Sequence, residues 1–372
     1  MDNWIEETLQ KAVDKFRRSV VLARKQEVIP YKSEGGRWVG APFDGNSWWT
    51  GGFWPGLMWQ LYHFSGEEAF REEALRVERL LVAELLRFEW LNHDVGFMYL
   101  LSCGAHHRLT GDEEARRHTL HAANLLAGRF NPAGFIRAWN GDRPGWAIID
   151  CMMNLSLLYW ASAQTGDPRF EAIARQHADT AMREFVREDG SCHHIVIFDP
   201  RTGKALEKPG GQGYCAGSSW TRGQAWGLYG FALSYEGTGD ERYLDTACRI
   251  ADYFKAHIRA DGLVDCDFCQ PQEPQRIDNI ASACAASGML KLARLVGDGR
   301  GDAYREAALR MLRALDALCA DWTNQSPGIL QKCTAAYHDD GAGRHVNILY
   351  GDYFFVEALL RLRGADAQLW QA

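Results

Sequence analysis

Asp150 opens the run from Trp146 to Ser162, Trp-Ala-Ile-Ile-Asp-Cys-Met-Met-Asn-Leu-Ser-Leu-Leu-Tyr-Trp-Ala-Ser. Ile148, Ile149, Met152, Met153, Leu155, Leu157, Leu158 and Trp160 cover nearly every face of a helix, and a helix apolar all round is buried in a larger protein. Asp150 falls in or just before its first turn, with Asn154 one turn on along the same side. A carboxylate at that place has two readings. It is a helix N-cap, for which Asp is among the preferred residues, or it is an acid whose pKa burial lifts toward the working pH. Asp94, in His93-Asp94-Val95-Gly96-Phe97, poses the same alternatives.

Around these two carboxylates the loops collect aromatic and polar side chains. Trp49 belongs to Asn46-Ser47-Trp48-Trp49-Thr50-Gly51-Gly52-Phe53-Trp54-Pro55-Gly56, where small residues allow close backbone approach and indoles offer stacking faces. Trp139 precedes Asn140-Gly141-Asp142, and Gln212 lies in Gly211-Gln212-Gly213-Tyr214. Arg222 and Trp226 are one helical turn apart. A cation beside an indole suits a sugar carboxylate, and equally a structural cation–π contact or ion pair. His193 and His194 are consecutive, without helical or finger spacing and without a Cys or carboxylate set, so no metal site is expected. A phosphate-cradling loop, a nucleophile elbow and a dinucleotide fingerprint are all missing from the sequence, and no cofactor is expected. Paired carboxylates among Trp, His, Gln and Arg are the usual machinery of glycoside chemistry.

The elements that must position these groups are helical. Apolar spacing predicts about twelve helices, near 3–27, 51–64, 67–89, 97–109, 113–128, 150–164, 168–187, 220–236, 240–258, 278–296, 301–320 and 349–363. Ser65-Gly66-Glu67, Thr110-Gly111-Asp112, Thr165-Gly166-Asp167, Thr238-Gly239-Asp240 and Val296-Gly297-Asp298 punctuate them. In each, Gly is expected to end a helix in the left-handed conformation, and in most Asp starts the next. The other links are long, near 28–50, 90–96, 129–149, 188–219, 259–277 and 321–348, so short and long links alternate. Antiparallel neighbours joined that way place every long loop at one end, and about six such hairpins predict a closed all-α (α/α)6 barrel. The alternative, an open superhelical array, needs repeats that resemble one another, and these do not. No linker divides residues 1–372, which read as one catalytic domain whose function belongs at the loop-rich end.

Composition narrows the class. The 372 residues carry a net charge of −7 and no basic run, which argues against nucleic-acid or anionic-membrane partners. No apolar run approaches the roughly 20 residues of a membrane span, and the N-terminus has no basic start followed by an apolar stretch. The 10 Cys are scattered, with one unpaired C-x-x-C at Cys266 to Cys269. They read as reduced thiols of a cytoplasmic protein. Fourteen Trp in one chain suit sugar-ring stacking as well as core packing.

The run Trp49 to Gly56, the segments His93–Phe97 and Asp150–Asn154, Gln212-Gly213-Tyr214, Trp220 to Trp226, and Tyr350-Gly351-Asp352-Tyr353-Phe354 together resemble the unsaturated glucuronyl hydrolases, glycoside hydrolase family 88. The resemblance spans nearly the whole chain and implies an (α/α)6 barrel. It also implies hydrolysis of oligosaccharides left by polysaccharide lyases, which end in a 4,5-unsaturated uronic acid. In that reaction C4 of the vinyl ether is protonated, positive charge develops at C5 and the ring oxygen, water adds at C5, and the hemiketal opens to release the neighbouring sugar. By the same resemblance Asp150 is the general acid/base and Asp94 the second essential carboxylate. Trp49, Trp139, His194, Gln212, Arg222 and Trp226 match substrate-binding positions. The family commonly has His before Gln-Gly-Tyr, where this chain has Gly211, and the loop His338 to Asn347, with Arg344 and His345, is expected toward the leaving sugar. The rival readings are a related hydrolase, such as an unsaturated rhamnogalacturonyl hydrolase, a sugar epimerase leaning on the His193–His194 pair, or a non-catalytic carbohydrate-binding helical protein with Asp94 and Asp150 as caps.

Overall fold

The computed structural model describes residues 3–42, 45–339, 341 and 343–371. Among these, twelve helices follow in the order the apolar spacing predicts. They are α1 (Asn3–Gln26), α2 (Phe53–Ser65), α3 (Glu68–Arg87), α4 (95–110), α5 (Glu113–Ala127), α6 (Cys151–Thr165), α7 (Pro168–Glu184), α8 (Thr221–Thr238), α9 (Glu241–Ala256), α10 (Asn279–Leu295), α11 (Arg300–Cys319) and α12 (Leu349–Arg363). The even-numbered helices are apolar on all sides and buried accordingly: every residue of α8 from Thr221 to Ser234 is buried, as is every residue of α12 from Leu349 to Leu362. The odd-numbered helices bury one stripe. In α9 it is Tyr243, Leu244, Ala247, Ile250, Ala251 and Phe254, at the three- and four-residue spacing of a single face.

Each even helix packs on the next, and α12 returns to α2, so the inner ring closes. Each odd helix lies against an inner one, with α1 and α12 forming the sixth hairpin across the two ends of the chain. The molecule is an (α/α)6 barrel. All six inner helices run in the same direction, from the long links toward the short joints.

Four joints have the expected form. Gly66, Gly111, Gly166 and Gly239 are left-handed, with φ of 72°, 76°, 69° and 68°, a backbone that glycine adopts without a Cβ clash. Asp112, Asp167 and Asp240 then cap the following helices, accepting N–H from Ala115, Arg169 and Arg242. The fifth joint departs from expectation. Its link is longer, α10 leaves through extended Val296, and Gly297 is not left-handed. Asp298 still accepts the Arg300 N–H, at 2.9 Å.

The long links carry short strands that the sequence did not announce, since two to four residues are too few for alternation to register. β1 (Lys32–Glu34) pairs with β2 (Arg37–Val39), and β3 (Phe130–Asn131) with β4 (Phe135–Ile136). β5 (Trp146–Ile148), β6 (Ile195–Phe198) and β7 (Ala205–Glu207) form an antiparallel sheet joining the third and fourth links. Helix α4 contains a π-turn at Leu100–Gly104. No helix is long and apolar enough to cross a membrane among the described residues.

Candidate active site

A cavity of about 830 Å³ opens at the end where the inner helices begin. Five of the six long links and the start of α12 build its wall. Tyr31, Ser47, Trp48 and Trp49 come from the first; Trp90, Asn92, His93 and Asp94 from the second; Trp139, Ile148 and Asp150 from the third; Gln212 from the fourth; Ala335 and Ala336 from the sixth; Tyr350 from α12. Asp94 and Asp150, 56 positions apart in sequence, therefore face one space.

Both aspartates occupy N-cap positions, α4 for Asp94 and α6 for Asp150, yet neither side chain caps its helix. The backbone explains why. The capping residues Asp112, Asp167 and Asp240 are extended, with ψ of 120°, 112° and 108°, which swings the carboxylate over the free N–H groups. Asp94 has ψ of 5° and Asp150 ψ of −27°, so their carboxylates project into the cavity instead.

Asn154 holds the two together. Its Oδ1 accepts the Phe97 N–H at 2.8 Å, and its Nδ2 approaches Asp94 Oδ1 at 3.4 Å and the Asp150 carbonyl at 3.3 Å. That bridge requires α4 and α6 to touch, and they touch at Gly96, where a Cβ would lie 2.6 Å from Asn154 Oδ1. Asp94 N–H donates to Asn92 Oδ1 at 2.8 Å, and His93 Nε2 lies 3.5 Å from Asp94 Oδ2.

The pairing of β5 with β6 puts Ile148 opposite Ile195, so the chain beside Asp150 runs next to His194; the Ile149 N–H donates to the His194 carbonyl at 3.0 Å. His194 Nδ1 accepts the Gln212 N–H at 2.9 Å. The Gly210 carbonyl also lies near Nδ1, but farther, at 3.4 Å; the closer Gln212 N–H can only donate, which assigns the ring proton to Nε2, facing Asp150 Oδ1 at 3.8 Å. Gly211 makes this possible: it is left-handed, with φ of 60°, and a Cβ on it would collide with the His194 ring. Among the described residues neither His194 Nε2 nor Asp150 Oδ1 has a hydrogen-bond partner, although both are buried. Most buried polar groups are hydrogen-bonded, and here two that are not face each other beside the cavity.

Burial sets the charge states. It pushes Asp150 up to about 7, against the opposing field of Arg222. It pushes Asp94 well above the ordinary carboxyl range, helped by the charge of Asp150 and opposed by Asn154 and Arg129. Burial also lowers His194 to about 3 and holds His93 well below the usual imidazole range, so both rings are neutral. The charge of one carboxylate disfavours ionisation of the other, and with Asp94 held well above the ordinary range the pair keeps a proton at neutral pH.

Arg129 braces the wall. Its guanidinium donates to the carbonyls of Arg137 (2.9 Å), Ala138 (3.0 Å) and Trp139 (3.0 Å) and to Asn140 Oδ1 (2.8 Å). Asn140 in turn donates to the Leu91 carbonyl at 3.1 Å. The link carrying Trp139 is thereby tied to the link carrying Asp94.

The candidate residues thus divide. Asp94, Asp150, Trp49, Trp139 and Gln212 line the cavity, and His194 abuts Asp150. Arg222 and Trp226, placed by sequence against substrate, lie one layer behind it, because α8 is buried all round. Arg222 pairs with Asp278 at 3.1 Å and donates to the carbonyls of Thr334 and Ala335. Trp226 is fully buried, 5.3 Å from Phe97 and 6.4 Å from Tyr350 between ring centroids. His193 points away from Asp150, with Nδ1 3.0 Å from Arg187. Asp340 and Ala342, in the loop expected toward the leaving sugar, lie outside the described residues. In the rest of that loop His345 Nε2 accepts the Ile277 N–H at 3.1 Å, and His338 bonds to the Tyr214 carbonyl at 2.8 Å. The cavity wall that sequence reasoning missed includes Tyr31, Trp48, Trp90 and Tyr350. Trp48 and Tyr350 sit in runs that the sequence singled out without assigning them to substrate, and Trp90 carried a signal as well, an indole in the link just ahead of Asp94.

The profile of Glycosyl Hydrolase Family 88 matches residues 25–236. The unsaturated glucuronyl hydrolase of Bacillus sp. (strain GL1) is 40% identical over 336 residues, covering 87% of this chain and 89% of the relative. The unsaturated chondroitin disaccharide hydrolase of Streptococcus pneumoniae (strain ATCC BAA-255 / R6) is 35% identical, covering 86% and 83%. A solved structure of UGL with dGlcA-Glc-Rha-Glc superposes with a TM-score of 0.92 at 35% identity, covering 100% of this chain and 99% of that one.

Proposed function

The chain belongs to glycoside hydrolase family 88, and from that premise we propose that the buried pair Asp94–Asp150 performs a vinyl-ether hydration with Asp150 as the proton donor. The enzyme is a glycoside hydrolase that removes the 4,5-unsaturated uronic acid from the non-reducing end of lyase-generated oligosaccharides.

Asp150 gives its proton to C4 of the unsaturated ring. The C4–C5 double bond is consumed and positive charge spreads over C5 and the ring oxygen. Water adds at C5 and its surplus proton returns to the Asp150 carboxylate, so acid and base are one residue. The C5 hemiketal opens, and the glycosidic bond at C1 breaks to free the neighbouring sugar. Asp94, held by Asn154, stands as the second carboxyl of the site, while burial opposed by Arg222 keeps Asp150 able both to give and to take a proton near neutrality. The Nε2–H of neutral His194 is positioned to donate to the Asp150 carboxylate once the proton has left. The N-termini of α4, α6 and α12 open onto the cavity, and their dipoles favour an anionic sugar there.

The observation that carries this reading is Asp150 Oδ1, buried, without a partner, and on the wall of an indole-lined cavity. Structural caps would be bonded to their own helices, and an epimerase would need the histidine pair, of which His193 is engaged elsewhere. Incubation with an unsaturated disaccharide should bleach the ultraviolet absorbance of the conjugated double bond, and Asp150→Asn should abolish bleaching in a protein that still melts cooperatively. An active Asp150→Asn variant would refute the role.

A further inference from the structure

Among the large apolar side chains of the described residues, Trp90 is exposed to an unusual degree, 74%, and yet it belongs to the wall of the catalytic cavity. Its backbone is not loose. Phe88 ends α3 in the left-handed conformation, φ 48°, and its carbonyl accepts the Leu91 N–H at 3.0 Å. On either side of Trp90, the carbonyls of Glu89 and Leu91 receive Asn140 Nδ2 at 3.4 and 3.1 Å. Asn140 is itself fixed by Arg129. The main chain is pinned before and after Trp90 while the indole stands in water, forgoing the gain that burial of an aromatic surface brings.

Resting on the reading above, we propose that Trp90 is a stacking platform for sugars on the leaving side of the cleaved bond, and that it favours substrates longer than a disaccharide. The direction follows from the chemistry. The reacting sugar is the non-reducing terminus, and its C4 must reach Asp150, which is only 8% exposed. Nothing extends inward beyond that sugar, so the rest of the oligosaccharide leaves through the mouth, where Trp90 is held. An indole face matches the apolar face of a pyranose ring, and continuity with the catalytic cavity selects carbohydrate over a protein partner.

The test compares an unsaturated disaccharide and an unsaturated tetrasaccharide from one polysaccharide, by loss of ultraviolet absorbance, with wild type, Trp90→Ala and Trp90→Phe. The ratio of kcat/KM for tetrasaccharide over disaccharide should fall about tenfold in Trp90→Ala, mostly through KM, and recover in large part in Trp90→Phe. An unchanged ratio in Trp90→Ala, with wild type bleaching both substrates, would overturn the platform alone. A wild-type enzyme that bleaches neither would overturn the reaction and the platform together.

Discussion

Burial lifts Asp150 to about 7, so it carries a proton in part at neutral pH, and it can lose that proton because Arg222 limits the shift. The kcat/KM profile should therefore fall on the alkaline side, with its midpoint near pH 7, as the acid form is titrated away. A profile flat to pH 9 would contradict this. The same group affects stability, with a definite sign. Its folded pKa, about 7, lies above the ordinary 3.8, so the folded state binds the proton more tightly and loses stability as pH rises from about 4 through 7. Asp150→Asn should melt above wild type at pH 8 and close to it at pH 4, a difference readable by calorimetry. The sequence placed both aspartates at helix starts and could not choose between cap and acid. That choice depends on ψ at one residue, and ψ at positions 94 and 150 is set by the pairing of distant links rather than by local residue types.

Helices α4 and α6 meet through Asn154 and Gly96, and that contact fixes the separation of the carboxylates. Gly96→Ala would force the helices apart or rotate the Asn154 amide off Phe97. The expected outcome is a loss of about 1–3 kcal/mol in stability and roughly a hundredfold in kcat, measured by denaturation and steady-state rates. A Gly96→Ala enzyme with wild-type kcat would show that the contact does not position the pair. The fork of Arg129 acts across the wall. Arg129→Lys keeps the charge near Asp94 but loses most of the carbonyl bonds, so KM should rise while the pH profile holds. Arg129→Gln removes the charge as well and should push the Asp94 carboxyl still further up, shifting the pH profile, because Arg129 opposes the protonation of Asp94. Asp94 is also faced by Asp150, His93 and Asn154, none of which either variant removes. At this scale the helices were legible because ten to twenty residues of period 3.6 leave a strong pattern. The β5–β6 pairing that brings His194 to Asp150 was not, since it rests on three residue pairs.

The barrel closes by joining the first and last helices, and its axis is filled by aromatic rings. Trp370 seals the end opposite the cavity. Its Nε1 donates to Glu357 Oε1 at 2.8 Å, its ring stacks on Phe354 at 6.3 Å, and its face meets Phe97 at 5.9 Å, three residues from Asp94. Trp370→Ala should cost about 3–5 kcal/mol by opening a cavity in the axis, visible as a lowered melting temperature; a change below about 1 kcal/mol would show the seal to be dispensable. Ring closure was legible from the strict alternation of short and long links. The seal was not, because Trp370 lies outside any helix and has no periodic partner to announce it.

The reaction run in D2O and followed by NMR tests the central claim most directly. Proton delivery by Asp150 predicts a released uronic acid that has lost its double bond and carries one deuterium at C4, with no product from Asp150→Asn. A released sugar that keeps its double bond, or deuterium entering at C4 at the wild-type rate in Asp150→Asn, would contradict it.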